Sequence, residues 1–353
     1  MNQLIKKNNL KEFRIAFLIP PRGFEDIYVK YPIARYIPKW LLRKILLMTG
    51  PLVVGKIYGL KTNDGEEVKG EIIAIPMTGR DMMKDRKKAS REVERGVKLA
   101  SNRGNRIIGL GSLTSVVVSG GVDMVGKYKT KITNGNALTV FMAFEGIRTI
   151  CQKKDIDMSK AKFAIIGATG SIGSGISKLL IRDGGVQNAI LIGRTPEHLQ
   201  KAKAEFIRLN PNLSIEVSDN LTQVADVDVV VVATSAEGTI LTSEKLKKNA
   251  IIYDVTQPQN VSKSISLERP DVVVVDGAIS KLPEGVGYTT KMGLSKGEAF
   301  SCMAETMILA KEKYNDDFSV GHVSLENVDT IARLARENGF KRAPLRSWGK
   351  IIL

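Results

Sequence analysis

The sequence predicts an α/β protein, in which a doubly wound parallel sheet follows a smaller N-terminal α/β domain and is followed by C-terminal helices. Three observations predict it. Short apolar, β-branched runs recur at residues 163–166, 189–192, 227–232, 251–255 and 272–275, flat in periodicity as strands covered on both faces are. Helical patterns fall between them, the alternation that builds parallel sheets. The turn Gly167-Ala168-Thr169-Gly170-Ser171-Ile172-Gly173 joins the first run to a helix.

From the beginning of the chain, residues 14–19 and 71–75 read as strands. Residues 39–48 form a helix pattern with Trp40, Leu41, Ile45 and Met48 apolar and Arg43 and Lys44 between them. Such a helix packs on a core, lies weakly on a membrane surface or walls an apolar pocket. Residues 80–106 carry ten cations with Asp81, Asp85, Glu92 and Glu94 interspersed, either a solvated mixed-charge helix or a docking face. Two glycine- and hydroxyl-rich stretches follow, Gly109-Leu110-Gly111-Ser112-Leu113-Thr114-Ser115 and Thr133-Asn134-Gly135-Asn136. Each serves either as a plain turn or as a close backbone approach to a ligand. A helix over 137–153 leads into the parallel sheet, and helices over 296–314 and 325–338 end the chain, the second capped by Ser324 and stopped by Gly339. The expected divisions are residues 1–135 for substrate, 136–290 for the sheet and 291–353 for the C-terminal helices.

Composition narrows the function classes. The chain has 353 residues, 43% of them hydrophobic, enough to bury more than one core. Its first nine residues lack the apolar centre of a signal peptide, and no run reaches the roughly 18 apolar residues of a membrane span, so a cytoplasmic protein is expected. Two cysteines, Cys151 and Cys302, and two histidines, His198 and His322, offer neither a disulfide framework nor the spacing of a metal site, and no metal is expected. The net charge of +16 favours an acidic partner.

In the turn after residue 166, Gly167 permits the tight bend, Gly170 a close approach of pyrophosphate, and Gly173 the packing of helix on strand. Thr169, Ser171 and Ile172 complete the loop, and the helix N-terminus stabilises the phosphate charge. This is the signature of a Rossmann-type dinucleotide site. An NAD-selective site carries a carboxylate at the end of the second strand, where this chain reads Gly193-Arg194-Thr195. A guanidinium beside a hydroxyl suits a 2′-phosphate, so NADPH is the expected cofactor. Thr234, Ser235 and Asp254, at the carboxyl ends of two later strands, are candidates for the nicotinamide end. Cys302, early in a helix, is either a small core residue or a thiol activated by the helix N-terminus.

Taken with the glycine loop, the stretches 109–115 and 133–136 and Phe300-Ser301-Cys302-Met303-Ala304-Glu305 resemble the long-chain acyl-[acyl-carrier-protein] reductases, over about residues 28–345. The chain departs from that family in the loop Gly111-Ser112-Leu113-Thr114, where a second glycine and an aromatic are more usual, and in lacking a histidine after Asn136. The resemblance implies that Cys302 attacks an acyl thioester, that NADPH reduces the acyl-enzyme, and that a fatty aldehyde leaves. It further implies that Gly109, Gly111, Ser112, Thr114, Asn134 and Asn136 line the reaction site, and that the partner is an acidic acyl-carrier protein or an acyl-CoA rather than nucleic acid. Two other readings stay open: a shikimate-dehydrogenase-like enzyme acting on a small polar substrate with a lysine–aspartate pair, and a non-catalytic nucleotide-binding sensor.

Overall fold

The computed structural model describes residues 12–235, 241–257 and 259–352. The opening residues read for a signal peptide, and Ala236 and Pro258 at the ends of two strand-edge loops, lie outside that range. Along the chain, the strands β1 (Phe13–Ile19), β2 (Leu52–Tyr58), β3 (Val68–Ala74), β4 (Ile107–Leu110) and β5 (Lys131–Thr133) come first. The helices α1 (Phe24–Lys30), α2 (Lys39–Thr49), α3 (Gly79–Lys84), α4 (Arg86–Asn102) and the single turn α5 (Leu113–Val116) lie between them. The long α6 (Asn136–Lys153) leads to β6 (Lys162–Ile166), β7 (Asn188–Ile192), β8 (Ser214–Ser218), β9 (Val229–Val232), β10 (Ile251–Asp254) and β11 (Val273–Asp276). These alternate with α7 (Ser171–Arg182), α8 (Pro196–Leu209) and the short α9 (Ser264–Glu268). The remainder contains β12 (Ile279–Lys281), β13 (Gly287–Tyr288), β14 (Glu298–Phe300), α10 (Ser301–Lys311), α11 (Leu325–Glu337), β15 (Lys341–Arg342) and the hairpin of β16 (Arg346–Ser347) with β17 (Lys350–Ile351).

The expected doubly wound sheet is present. Its order is β8-β7-β6-β9-β10-β11, every pairing is parallel, and the order reverses between β6 and β9. Ligands of such sheets bind outside the carboxyl ends of the strands at that reversal. The flat hydrophobicity of the run at β6 has a direct cause: Phe163 and Ile165 face one core while Ala164 and Ile166 face another.

The N-terminal α/β part is a mixed sheet of order β13-β2-β3-β1-β4-β5, in which β2 runs antiparallel to both its neighbours, β13 and β3, and the remaining pairings are parallel. One face, with Ala16, Leu18, Ile73 and Ile108, packs under Val93 and Val97 of α4. The other, with Ile15, Phe17 and Ile72, joins α6 and Met303, Met307 and Ile308 of α10 in the largest core.

Several expected boundaries change. The helix read over 296–314 begins only at Ser301, because residues 298–300 pair antiparallel with β12. The charged run 80–106 is two helices broken at Asp85, whose carboxylate caps α4. That helix is amphipathic rather than solvated all round, burying Ala89, Val93, Val97 and Ala100. Strand β8 escapes a hydrophobicity reading because Ser214, Glu216 and Ser218 leave only Ile215 fully buried in it.

Candidate active site

At the order reversal a cavity of about 1610 Å³ opens between the two sheets. Thr169, Gly170, Ser171 and Ile172 form one wall, and Ala233, Thr234 and Ser235 continue it from the end of β9. The loop is built for close backbone packing. Gly167 has φ +87° and a Cβ there would lie 2.5 Å from the Ala233 carbonyl oxygen, while one on Gly173 would lie 2.3 Å from the Gly167 oxygen. A Cβ on Gly170, the N-cap residue of α7, would meet the Gly167 oxygen at 3.3 Å and the Ala233 oxygen at 3.8 Å. No side chain caps α7, so its first N–H groups retain capacity for a phosphate. These residues fit a dinucleotide. Beyond β7, Arg194 and Thr195 are exposed, and Arg194 makes no hydrogen bond or ion pair among the described residues. The neighbouring Gly193 brings this turn alongside Thr169, 3.8 Å from where its Cβ would be.

Opposite the loop, Cys302 faces the same cavity from the first turn of α10. Its surroundings are tightly specified. Gly135, with φ +73°, lies so close that a Cβ would sit 2.3 Å from both the Cα and Cβ of Cys302, leaving room for glycine alone. Asn134 holds this turn by donating from Nδ2 to the carbonyls of Gly120 and Gly321, both at 3.1 Å, while its Oδ1 accepts the Asn136 N–H. Asn136 Nδ2 donates to Ser171 Oγ at 3.1 Å, linking the turn against Cys302 to the dinucleotide loop. On the other side Ser112 adopts φ 53°, a conformation costly for a residue with a side chain. Its hydroxyl donates to the Gln257 carbonyl across the crevice at 3.1 Å, and its own carbonyl accepts from Ser115. Burial pushes the Cys302 thiol up to about 11, opposed by the backbone N–H groups of Ser112 and Met303, which favour the thiolate, and reinforced by the Glu305 carboxylate.

Of the residues singled out from sequence, Gly111, Ser112, Asn134, Asn136, Thr169, Gly170, Ser171, Ile172, Thr234, Ser235 and Cys302 line the cavity. Others stand behind the cavity wall rather than on it. Gly109 is covered by Phe17 and Thr306, and Thr114 is fully buried with its hydroxyl on the Gly111 carbonyl. Asp254 is buried, and its carboxylate accepts from the Thr256 hydroxyl and the N–H groups of Thr256, Asn260 and Val261. It therefore shapes the loop that brings Thr256, Gln257 and Asn260 to the cavity. Burial raises its pKa.

Two residues were not singled out as site residues. His322 reaches the cavity on a segment pinned by the Val323 N–H, which donates to Ser171 Oγ. No motif marks it, because only the packing of the C-terminal segment on the glycine loop places it there. Glu305 is fully buried one turn after Cys302, accepting from Thr133 Oγ1 and from the Leu138 N–H at 2.7 Å. It supplies the first turn of α6, which begins at Gly135 without a side-chain cap of its own, with a carboxylate from another helix. Its position three residues after Cys302 was the available signal. The cavity's one carboxylate among the described residues is Asp26, bound by both the Arg22 backbone and guanidinium.

Comparison with known proteins matches residues 149–277 to the family model shikimate / quinate 5-dehydrogenase. Over more of the chain, the aminotransferase PigE of a Serratia species is 28% identical across 298 residues, 82% of this chain and 34% of that protein. The chain thus spans about a third of that relative's length. The long-chain acyl-[acyl-carrier-protein] reductase of Synechococcus elongatus is 25% identical across 270 residues, 72% of this chain and 76% of the reductase. Among solved structures, the shikimate 5-dehydrogenase of Listeria monocytogenes, in complex with shikimate and NAD, is 13% identical and covers 94% of this chain and all of its own, at a TM-score of 0.38.

Proposed function

We propose that this chain, an NAD(P)-dependent oxidoreductase of the Rossmann type, reduces a fatty acyl thioester to the aldehyde with NADPH, through an acyl-enzyme on Cys302. The observation that carries the reading is the position of Cys302, on the wall of a largely apolar cavity that is also lined by the dinucleotide loop. The similarity to the acyl-[acyl-carrier-protein] reductase supports it, since that match extends well beyond the nucleotide-binding half.

In this reading the Cys302 thiol loses its proton and attacks the thioester carbonyl, and the carrier thiol leaves with a proton. When bound, the cofactor would supply hydride to the acyl carbon. Collapse of the resulting hemithioacetal returns the Cys302 thiolate and frees the aldehyde. The N–H groups of Ser112 and Met303 that favour the thiolate make it the better leaving group in that last step. Arg194 and Thr195 take the 2′-phosphate, and the carrier is an acidic acyl-carrier protein or coenzyme A.

A second reading, oxidation or reduction of a small polar hydroxy acid, rests on the family model, which as far as it reaches favours this reading over the first. The matched residues end before β14 and Cys302, and they begin after Ser112 and Asn134. A lysine–aspartate pair would serve such chemistry, yet the described cavity carboxylate, Asp26, is held by Arg22.

Intact mass after incubation with acyl thioesters and no cofactor separates the two. An adduct of one acyl group, lost in Cys302→Ala together with roughly a thousandfold or more of aldehyde output, is expected. Unlabelled protein that turns over a polar hydroxy acid equally well as Cys302→Ala would establish the second reading instead.

A further inference from the structure

The flap over the cavity is a small structure of its own. Helix α1, the turn over 32–36 and helix α2 enclose a separate cluster of Phe24, Ile27, Ala34 and Leu42. Its inner side contributes Ile27, Val29, Tyr31 and Leu46 to the cavity. Its outer side is also apolar. Ile33 and Met48 are 76% exposed, Tyr36 82% and Trp40 68%. Trp40, Lys44 and Met48 are spaced four apart on α2 and so form one line along it.

Charge narrows what can cover this face. From Phe24 to Tyr58 the chain has six cations, Lys30, Arg35, Lys39, Arg43, Lys44 and Lys56, against two acids, Glu25 and Asp26, both in the first turn of α1 and the second paired with Arg22. Arg43 pairs with Asp81, but Arg35 and Lys44 are exposed and have no ion pair among the described residues. A second copy of the chain would bring like charges together. Residues 1–11 would do the same, since they hold Lys6, Lys7 and Lys11 and no acid. Tryptophan, tyrosine and long aliphatic side chains interspersed with lysine and arginine are what a headgroup–acyl boundary accommodates.

We propose that the outer face of the flap docks on an anionic lipid bilayer, with Ile33, Tyr36, Trp40 and Met48 in the acyl boundary and Arg35 and Lys44 on the headgroups. This places the apolar cavity beside the membrane, and in that respect it deepens the acyl-thioester reading by giving a fatty product a phase to enter.

Flotation of the full chain with vesicles tests it, using phosphatidylcholine mixed with phosphatidylglycerol and phosphatidylcholine alone. The chain is expected to float with the anionic vesicles, to be released by salt, and to remain unbound with neutral ones. Arg35→Gln with Lys44→Gln should weaken binding about thirtyfold. In a Trp348→Phe background, Trp40 is the single tryptophan, and its emission should shift to the blue on binding. No flotation with anionic vesicles, or flotation undiminished by Trp40→Gln with Met48→Gln, overturns the proposal. So does a dimer lost in that double variant, or capture by an acidic carrier protein in place of vesicles. The assay contains neither thioester nor cofactor, so its failure leaves the reading of Cys302 intact, and loss of that reading leaves the lipid result to be judged alone.

Discussion

At Cys302 two influences oppose each other: burial withholds water from the thiolate, and the backbone N–H groups of Ser112 and of Met303 in the first turn of α10 restore part of its stabilisation. Burial wins, leaving the thiol near 11. Because the reactive form is the deprotonated one, reactivity increases as pH rises. Alkylation of Cys302 should accelerate about tenfold per pH unit through neutrality and level off only near the thiol's own pKa. Cys151 is 1% exposed and pushed up to about 12, so it should stay unlabelled until the chain unfolds. Mass spectrometry of the alkylated peptides across pH reads both. Arg194 is a different case, an exposed cation waiting for a partner rather than a buried group resisting one. Its replacement by alanine should raise the NADPH Michaelis constant roughly tenfold to a hundredfold and leave that for NADH nearly unchanged, the signature of a lost charge-assisted contact to the 2′-phosphate. Equal effects on both cofactors would remove Arg194 from the site.

The helix carrying Cys302 is aimed by the strand before it. Glu298 opens β14, and its carboxylate forms an almost fully buried ion pair with Arg346, which also donates to Ser295 Oγ at 3.1 Å. Arg346→Ala would leave Glu298 charged and buried, at a cost of about 3–5 kcal/mol. Denaturant unfolding should show that loss together with slower acylation of Cys302, while pairing Arg346→Met with Glu298→Met should recover much of the stability. Nothing in the sequence announced this element. Residues 298–300 are three positions of strand that read as the start of a helix, and only their partner β12 shows otherwise. The glycine loop was legible for the opposite reason, since Gly167, Gly170 and Gly173 encode a local backbone shape between a strand and a helix that are themselves locally encoded.

Over the whole molecule, the parallel sheet could be read, apart from its edge strand β8, because its other strands are buried on both faces and therefore almost uniformly apolar. The N-terminal sheet was only partly readable: β2 is half-exposed with Gly55 and Lys56 in it, and β13 contributes two residues from far along the chain. Cys302, Ser112, Asn134 and the glycine loop were named from motifs, but their convergence depends on long-range packing that spacing does not contain. His322 shows the limit, being placed by two hydrogen-bonded neighbours on a segment without a motif. That same packing has a consequence for biosynthesis. The inner face of the N-terminal sheet, with Ile15, Phe17 and Ile72, is covered in part by α10, whose residues come nearly two hundred positions after β4. During translation β1, β3 and β4 emerge well before α10, so part of this apolar face stays uncovered until residues 301–311 have followed. Its closure is therefore a late, high-contact-order event, and nascent chains halted before Ser301 are the species that chaperones and proteases would meet.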